Sequence, residues 1–198
     1  MSSRMKVTVA RSLDDLMKVM VLRGIIFIGE QGHKYNMEFD EHELSNRTHL
    51  LAYDDTGEPV GIMRILKDGN YAKFERLAVL LQYRGKGVAE NIVKAGIKYC
   101  EMQKVENICL FCEPQLVKYW NKQNFERVGG NKILQYRGLE LVPVMKKIGR
   151  DASALTAQEK NNIPPIFLTQ QGTWINSETE INKTKLLIIK NKARHSEK

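Results

Sequence analysis

The chain has 198 residues, 42% of them hydrophobic, which is enough for one well-packed domain and a tail. With 31 Lys and Arg against 23 Asp and Glu the formal net charge is +8, so an anionic partner is favoured. The aromatic residues form no paired stacking motif of an RNA binder, no apolar run approaches the roughly 20 residues that cross a bilayer, and three closely spaced cysteines make no disulfide framework, which sets aside nucleic-acid, membrane and disulfide-scaffold classes.

The opening MSSRMKVTVARS lacks the apolar core of a secretory signal, and a soluble, cytoplasmic protein is expected. Lys6 to Ala10 alternate as a strand. Ser12, with Asp14 and Asp15 behind it, then starts a helix. Leu13, Leu16, Met17, Met20, Val21 and Ile25 recur at helical spacing and are expected to form its buried face. GEQGHKYNMEFDEHELSNRT reads as a long loop or short helices, of a length that is usually functional or mobile. THLLAYD, EPVGIMRILKD and YAKFERLAVL follow as an antiparallel meander whose separators, DDTGE and KDGNY, carry turn residues.

Next comes LQYRGKGVAENIVKAGIKYC, in which Val88, Ile92, Val93, Gly96, Ile97 and Cys100 repeat at helical spacing. ENICLFCE is a buried strand that follows a crossover helix and so runs parallel to the strand before the turn. On such a strand Cys109 and Cys112 point to opposite faces, and with Cys100 they read as buried thiols instead of metal ligands. PQLVKYWNKQNF is a short helix with Pro in its first turn, and FERVGG and LELVPVMKKI close the sheet. From Gly149 the composition turns polar, so a domain over 1–149 and an extension over 150–198 are expected. KLLIIK is an extra strand or a partner contact.

A strand that ends in Gln82, Gly85 and Gly87 and feeds a helix aims several backbone N–H groups one way, with no Cβ at the glycines to block approach. Arg84 and Lys86 add positive charge to this anion cradle. It is not a Walker loop, which needs Gly-Lys-Ser/Thr after four intervening residues, nor a dinucleotide fingerprint, because Glu90 stands where the third glycine belongs.

The pattern Q-x-x-G-x-G at Gln82, Gly85 and Gly87, followed by Val88 and Ala89, resembles the GNAT acetyltransferase superfamily. RGIIFIGEQG, FDEHE, THLLAYDDTGEPVG, ERLAVLLQYRGKGVAENIV and VKYWNKQNF occur in that family's order, from Val7 to about Lys147. The resemblance implies an α/β (α+β) fold with a mixed, mostly antiparallel twisted sheet of six to seven strands, helices on both faces and a splayed parallel pair at the cofactor site. It implies acetyl-CoA as co-substrate. The main chain from Arg84 to Ala89 would wrap its diphosphate, Lys86 would meet the third phosphate, and Leu77, Ala78 and Val79 would face the pantetheine arm.

Acetyl transfer to an amine needs a neutral nucleophile, an oxyanion donor and a proton for the thiolate. The resemblance assigns the oxyanion to the Val79 N–H. For proton removal Glu75 is preferred over Glu30, His33, Asp40 and Glu113, because it is expected to share a strand face with Leu77 and Val79 and matches a carboxylate of glucosamine 6-phosphate acetyltransferases. The family's usual acid, a tyrosine, falls at Trp120, which is expected to pack in the core; either the neighbouring Tyr119, which is also expected at the cofactor, takes the acid role after a local shift, or solvent does.

The resemblance implies that Glu30, Gln31, His33, Asp40 and Glu41 lie in the loop over the acceptor pocket, and Arg64, Arg76 or Lys118 would be phosphate partners if the acceptor is a phosphorylated amino sugar. Another small amine, a protein lysine, or a module that holds CoA without turnover remains open. A homodimer is expected. No metal is: His42, within DEHE, lacks a second histidine at ligand spacing.

Overall fold

The computed structural model describes residues 5–39, 47–136, 139–149 and 152–167. The chain divides into two compact units, Met1–Glu106 and Asn107–Lys198.

In the first unit β1 (Lys6–Val9), β2 (Arg47–Tyr53), β3 (Pro59–Asp68) and β4 (Tyr71–Val79) pair antiparallel in that order. The meander expected between Thr48 and Leu80 is present. Its turns form for the reasons the sequence suggests: the Asp54 carboxylate accepts from the Thr56 and Glu58 N–H groups at 2.9 and 3.0 Å, and Gly57 and Gly69 take φ of +87° and +56°.

Helix α1 (Leu13–Arg23) starts at a capping box in which Ser12 Oγ accepts from the Asp15 N–H at 3.0 Å and the Asp15 carboxylate accepts from the Ser12 N–H at 3.2 Å. It runs on as a wider π-helical turn over Gly24–Glu30. Its buried face overlaps the one read from the sequence only at the half-buried Leu16 and Met20. Leu13, Met17, Val21 and Ile25 are exposed, and Val19, Leu22, Arg23, Ile26 and Phe27 are buried. Both stripes are apolar at helical spacing, so periodicity alone does not choose between them. The choice is made by Arg23, which must face inward to meet a buried carboxylate, and by the fit of Val19, Leu22, Ile26 and Phe27 against Leu51, Ile62 and Ala78. Burying each of those side chains contributes about 1.5–3 kcal/mol.

Helix α3 (Val88–Met102) covers the opposite face of this sheet, burying Val88, Ile92, Val93, Gly96 and Cys100 as expected. It sits close because two glycines allow it. A Cβ at Gly96 would come 2.3 Å from Met63 Cε, and one at Gly61 2.8 Å from Ile92 Cδ1. The described residues of the long segment after α1 include one short helix, α2 (Tyr35–Glu38); Asp40, Glu41 and His42 lie outside the described residues.

In the second unit β8 (Leu139–Lys147) pairs antiparallel with β5 (Asn107–Cys112), with β6 (Glu126–Arg127) and, in a hairpin, with β7 (Leu134–Tyr136). That makes eight strands among the described residues; β7 is the one the sequence reading lacked. Helix α4 (Val117–Lys122) follows Pro114, and all three cysteines are buried. Residues 152–167 of the extension are packed on this unit. Helix α5 (Ala157–Asn161) is capped by Thr156, the Phe167 ring packs at a tilt against Phe111 with centroids 4.4 Å apart, and Glu159 and Lys160 reach Lys147 and Glu126 at 2.7 and 2.5 Å. The KLLIIK piece, Lys185–Lys190, lies outside the described residues. No described helix is long and apolar enough to cross a membrane.

Candidate functional site

The turn singled out in the sequence joins β4 to α3. After Val79 the chain makes one 3-10 turn, Leu81–Tyr83, passes Arg84, and enters α3 through Gly85 and Gly87 at φ of +74° and +78°. Gly87 is the N-cap and has no side chain to satisfy the first N–H groups of α3, which have no partner within the helix. A Cβ at Gly85 or Gly87 would meet nothing within 4 Å. Packing within the protein therefore does not demand glycine there. The positive φ does, and so does any ligand that must lie against the backbone. Bare N–H donors, a helix N-terminus and a concave backbone without Cβ atoms fit a diphosphate.

Two consecutive side chains fix the turn. Tyr83 donates its hydroxyl to the Asp54 carboxylate at 2.7 Å, tying the turn to the β2–β3 connection. That bond holds the Asp54 carboxyl down to about 2 and raises the Tyr83 phenol. Lys86 lies over the Tyr83 ring at 5.3 Å. Arg84 donates from Nε to the Val79 carbonyl at 2.9 Å and pairs with the Glu30 carboxylate, which also accepts from the Leu81 N–H at 3.2 Å. The Arg84 N–H is taken by the Leu81 carbonyl at 3.2 Å, so the turn's remaining main-chain donors begin at Gly85. Gln82 is exposed, and Val88 and Ala89 open the helix.

The end of β4 is shaped by a bulge. Arg64 pairs with Glu75 and Ile62 with Ala78, so Met63 alone stands opposite Arg76 and Leu77. Arg76 sits at φ +53°, a conformation that favours glycine. The extra residue breaks the alternation on which one expectation rested. Glu75 does not share a face with Leu77 and Val79; it shares the α1 face with Arg64, Ile62 and Ala78. Beyond the bulge, the Leu80 N–H donates to the Val60 carbonyl at 3.0 Å, which makes Val79 and Gly61 a non-hydrogen-bonded pair. The N–H and C=O of Val79 thus point away from β3, and the carbonyl meets Arg84.

Glu75 is largely buried and held by two cations, Arg64 and Lys73, at 3.0 and 2.9 Å. Burial pushes its carboxyl up, but Lys73 and Arg64 outweigh that and hold it well below the usual carboxylate range. So pinned, Glu75 is a weak proton acceptor and a strong fixed negative charge.

Of the other sequence candidates, Glu30 is engaged with Arg84, and His33 stacks on Phe27 with ring centroids 5.6 Å apart. Gln31 is exposed beside them. In the second unit Glu113 accepts from the Gln115 side chain at 2.7 Å, and Lys118 is exposed. Trp120 is core, 5% exposed and edge-on to Phe125, as expected; Tyr119 is half-buried and edge-on to Trp120 at 5.2 Å, its hydroxyl buried.

The sequence reading missed a buried ion cluster beside the bulge. Glu38 of α2 meets Arg23 Nε at 2.5 Å and Arg76 Nε at 3.0 Å, and the Arg23 guanidinium also donates to the Glu38 carbonyl. His49, buried on β2 and paired in register with Arg64, was also passed over. A charged residue inside the apolar run MVLRGIIF was the signal for Arg23. Nothing in the sequence pairs it with Glu38.

Comparison with known proteins agrees with this geometry. Residues 27–148, more than half of the chain, match the acetyltransferase (GNAT) domain family. An uncharacterised N-acetyltransferase of Bacillus subtilis, YjcF, is 32% identical over 143 residues, which cover 72% of this chain and 99% of that protein. An acyl-CoA N-acyltransferase from Pseudomonas aeruginosa has a similar fold, with a TM-score of 0.63 at 19% identity over 71% of this chain and 98% of that one. Escherichia coli ElaA gives a TM-score of 0.62 at 19% identity, over 71% and 98%.

Proposed function

Since the chain belongs to the GNAT acetyltransferase family, an acyl-CoA-dependent N-acetyltransferase with that family's α/β fold, we propose that it acetylates the primary amine of a small molecule by direct attack in a ternary complex. Glucosamine 6-phosphate is the first acceptor to test, and a cytoplasmic homodimer is the proposed form, with residues 150–198 as an extension of the 1–149 catalytic part. The observation that carries the reading is the turn at Gly85 and Gly87, where positive φ, open space for a Cβ and an uncapped helix start coincide.

Acetyl-CoA supplies the activated acyl group as a thioester. The residues from Gly85 to Ala89 offer the main-chain donors that hold its diphosphate, with Lys86 at the rim. Val79, whose N–H leaves β3 behind, is the proposed donor to the oxygen that gains charge as the amine attacks. In this reading Leu77 and the main chain at Ala78 line the approach. Glu75, held anionic by Lys73 and Arg64, attracts and orients the amine in this reading and does not act as a strong base. Tyr119 is the proposed proton donor to the thiolate. Arg64 and Lys73, on the face of Glu75, support an acceptor with a negative group, and Arg64 and Arg76 are the proposed phosphate contacts, with Gln31 and His33 further along the acceptor side.

Release of free thiol from acetyl-CoA with glucosamine 6-phosphate, spermidine or a lysine peptide tests this. Release with the phosphosugar alone supports the full reading. Release with spermidine or the peptide alone overturns the phosphosugar, and no release with a wide amine panel overturns the small-amine assignment.

A further inference from the structure

Given that β4 receives the thioester, as proposed above, we propose that Glu38 is a positioning residue that sets the bulge of β4 through Arg76. An L-residue at φ +53° persists only where its surroundings hold it. Here the hold is visible. Glu38 is 1% exposed, and its carboxylate lies 3.0 Å from Arg76 Nε, a charge contact without hydrogen-bond angles. The same carboxylate receives Arg23 Nε at 2.5 Å, and Arg23 is fully buried at the end of α1. Burying a carboxylate this deeply is costly unless cations flank it, and neither partner can leave without stranding the others. Two rings close the cluster. The Arg23 guanidinium lies 5.3 Å from the Phe39 ring and that of Arg76 lies 6.0 Å from Phe27.

The consequence is directional. With Arg76 inserted, the Val79 N–H points away from β3; in a regular ladder without the bulge, Val79 would fall opposite Val60 and its N–H would point at β3. Glu38, far upstream in the chain, thereby decides whether the proposed oxyanion donor faces the thioester. Arg76 then serves the strand's geometry in addition to the phosphate contact proposed above.

The test uses the full chain and acetyl-CoA carrying carbon-13 at its carbonyl. In the wild-type complex a hydrogen bond from Val79 displaces the carbonyl resonance from its position in free acetyl-CoA. Arg76→Asn tolerates positive φ but removes the charge, and Glu38→Gln keeps the shape and removes the charge. Both are expected to lose that displacement while calorimetry with CoA gives a dissociation constant within about threefold of wild type, because the diphosphate donors lie downstream of the bulge. Retention of the wild-type displacement in both variants overturns the proposal. Should neither Arg76→Asn nor Arg76→Gly fold, the cluster is structural only and the proposal is likewise overturned. Absence of acetyl-CoA binding by the wild-type chain defeats the cofactor reading itself, a different result from bound acetyl-CoA with an unaltered variant spectrum.

Discussion

Replacing Gly87 by Ala separates the cost of folding from the cost of binding. The added Cβ would meet no protein atom within 4 Å, so packing contributes nothing to the penalty. The backbone remains at φ +78°, where an L-residue costs about 1–2 kcal/mol. For a chain of this length that lowers the melting temperature by about 2–4 °C per kcal/mol. Gly69→Ala is the matched control: Gly69 also sits at positive φ, +56°, with nothing within 4 Å, but in the β3–β4 hairpin away from the turn. Both variants should therefore melt a few degrees early. Only Gly87→Ala places a methyl group where the diphosphate is proposed to lie, and calorimetry should show its CoA affinity reduced more than tenfold, over about 1.4 kcal/mol, with Gly69→Ala binding as wild type does. Equal CoA affinity in the two variants would refute the assignment of the diphosphate to this turn.

Gly96→Ala should be worse for stability than either, because its Cβ would lie 2.3 Å from Met63 Cε and 3.0 Å from the stiff Phe74 ring; a loss of about 1–3 kcal/mol in urea unfolding is expected. Glu159 is held down to about 2, first by its hydrogen bond from Lys147 and then by the Thr156 N–H. A depressed carboxyl stabilises the folded chain above its ordinary value of 4.5 and loses that contribution as pH falls toward 2. Melting of wild type should thus exceed that of Glu159→Gln at pH 6, with the gap closing in acid. Burial pushes Cys100 up to about 12 and Cys112 up to about 11, so a thiol reagent at pH 8 should label neither in the native chain and both after denaturation.

Much of the fold can be read from local chemistry. The capping box at Ser12, the Asp and Gly turns of the meander and the one-sided periodicity of Val88 to Cys100 each carry their own instruction, and each element formed where that instruction placed it. Helix α1 shows where periodicity stops being enough. Its apolar residues make two stripes, and the buried one is chosen by a distant partner, since only inward rotation lets Arg23 reach Glu38. The same limit hid β7, three residues long and defined only by its pairing with β8.

At the site the division runs through β4. The turn was legible because glycines at fixed spacing before a helix state their geometry directly. The strand before it was not, because a bulge at an arginine leaves no glycine to announce it, and alternation counted across Arg76 places Glu75 on the wrong face. That error of one residue changes the chemistry assigned to the carboxylate. On the face of Leu77 and Val79 it would be a candidate base beside the cofactor strand's apolar residues, with burial raising its pKa. On the face it occupies, Arg64 and Lys73 clamp it, and its remaining capacity is to present fixed negative charge to a cation. An ammonium drawn to such a charge must still lose a proton before it attacks, and since Glu75 is a poor acceptor for it, the proton leaves through solvent or another group. The rate should then follow the free-amine fraction of the acceptor, rising with pH up to the acceptor's own pKa with no inflection from Glu75.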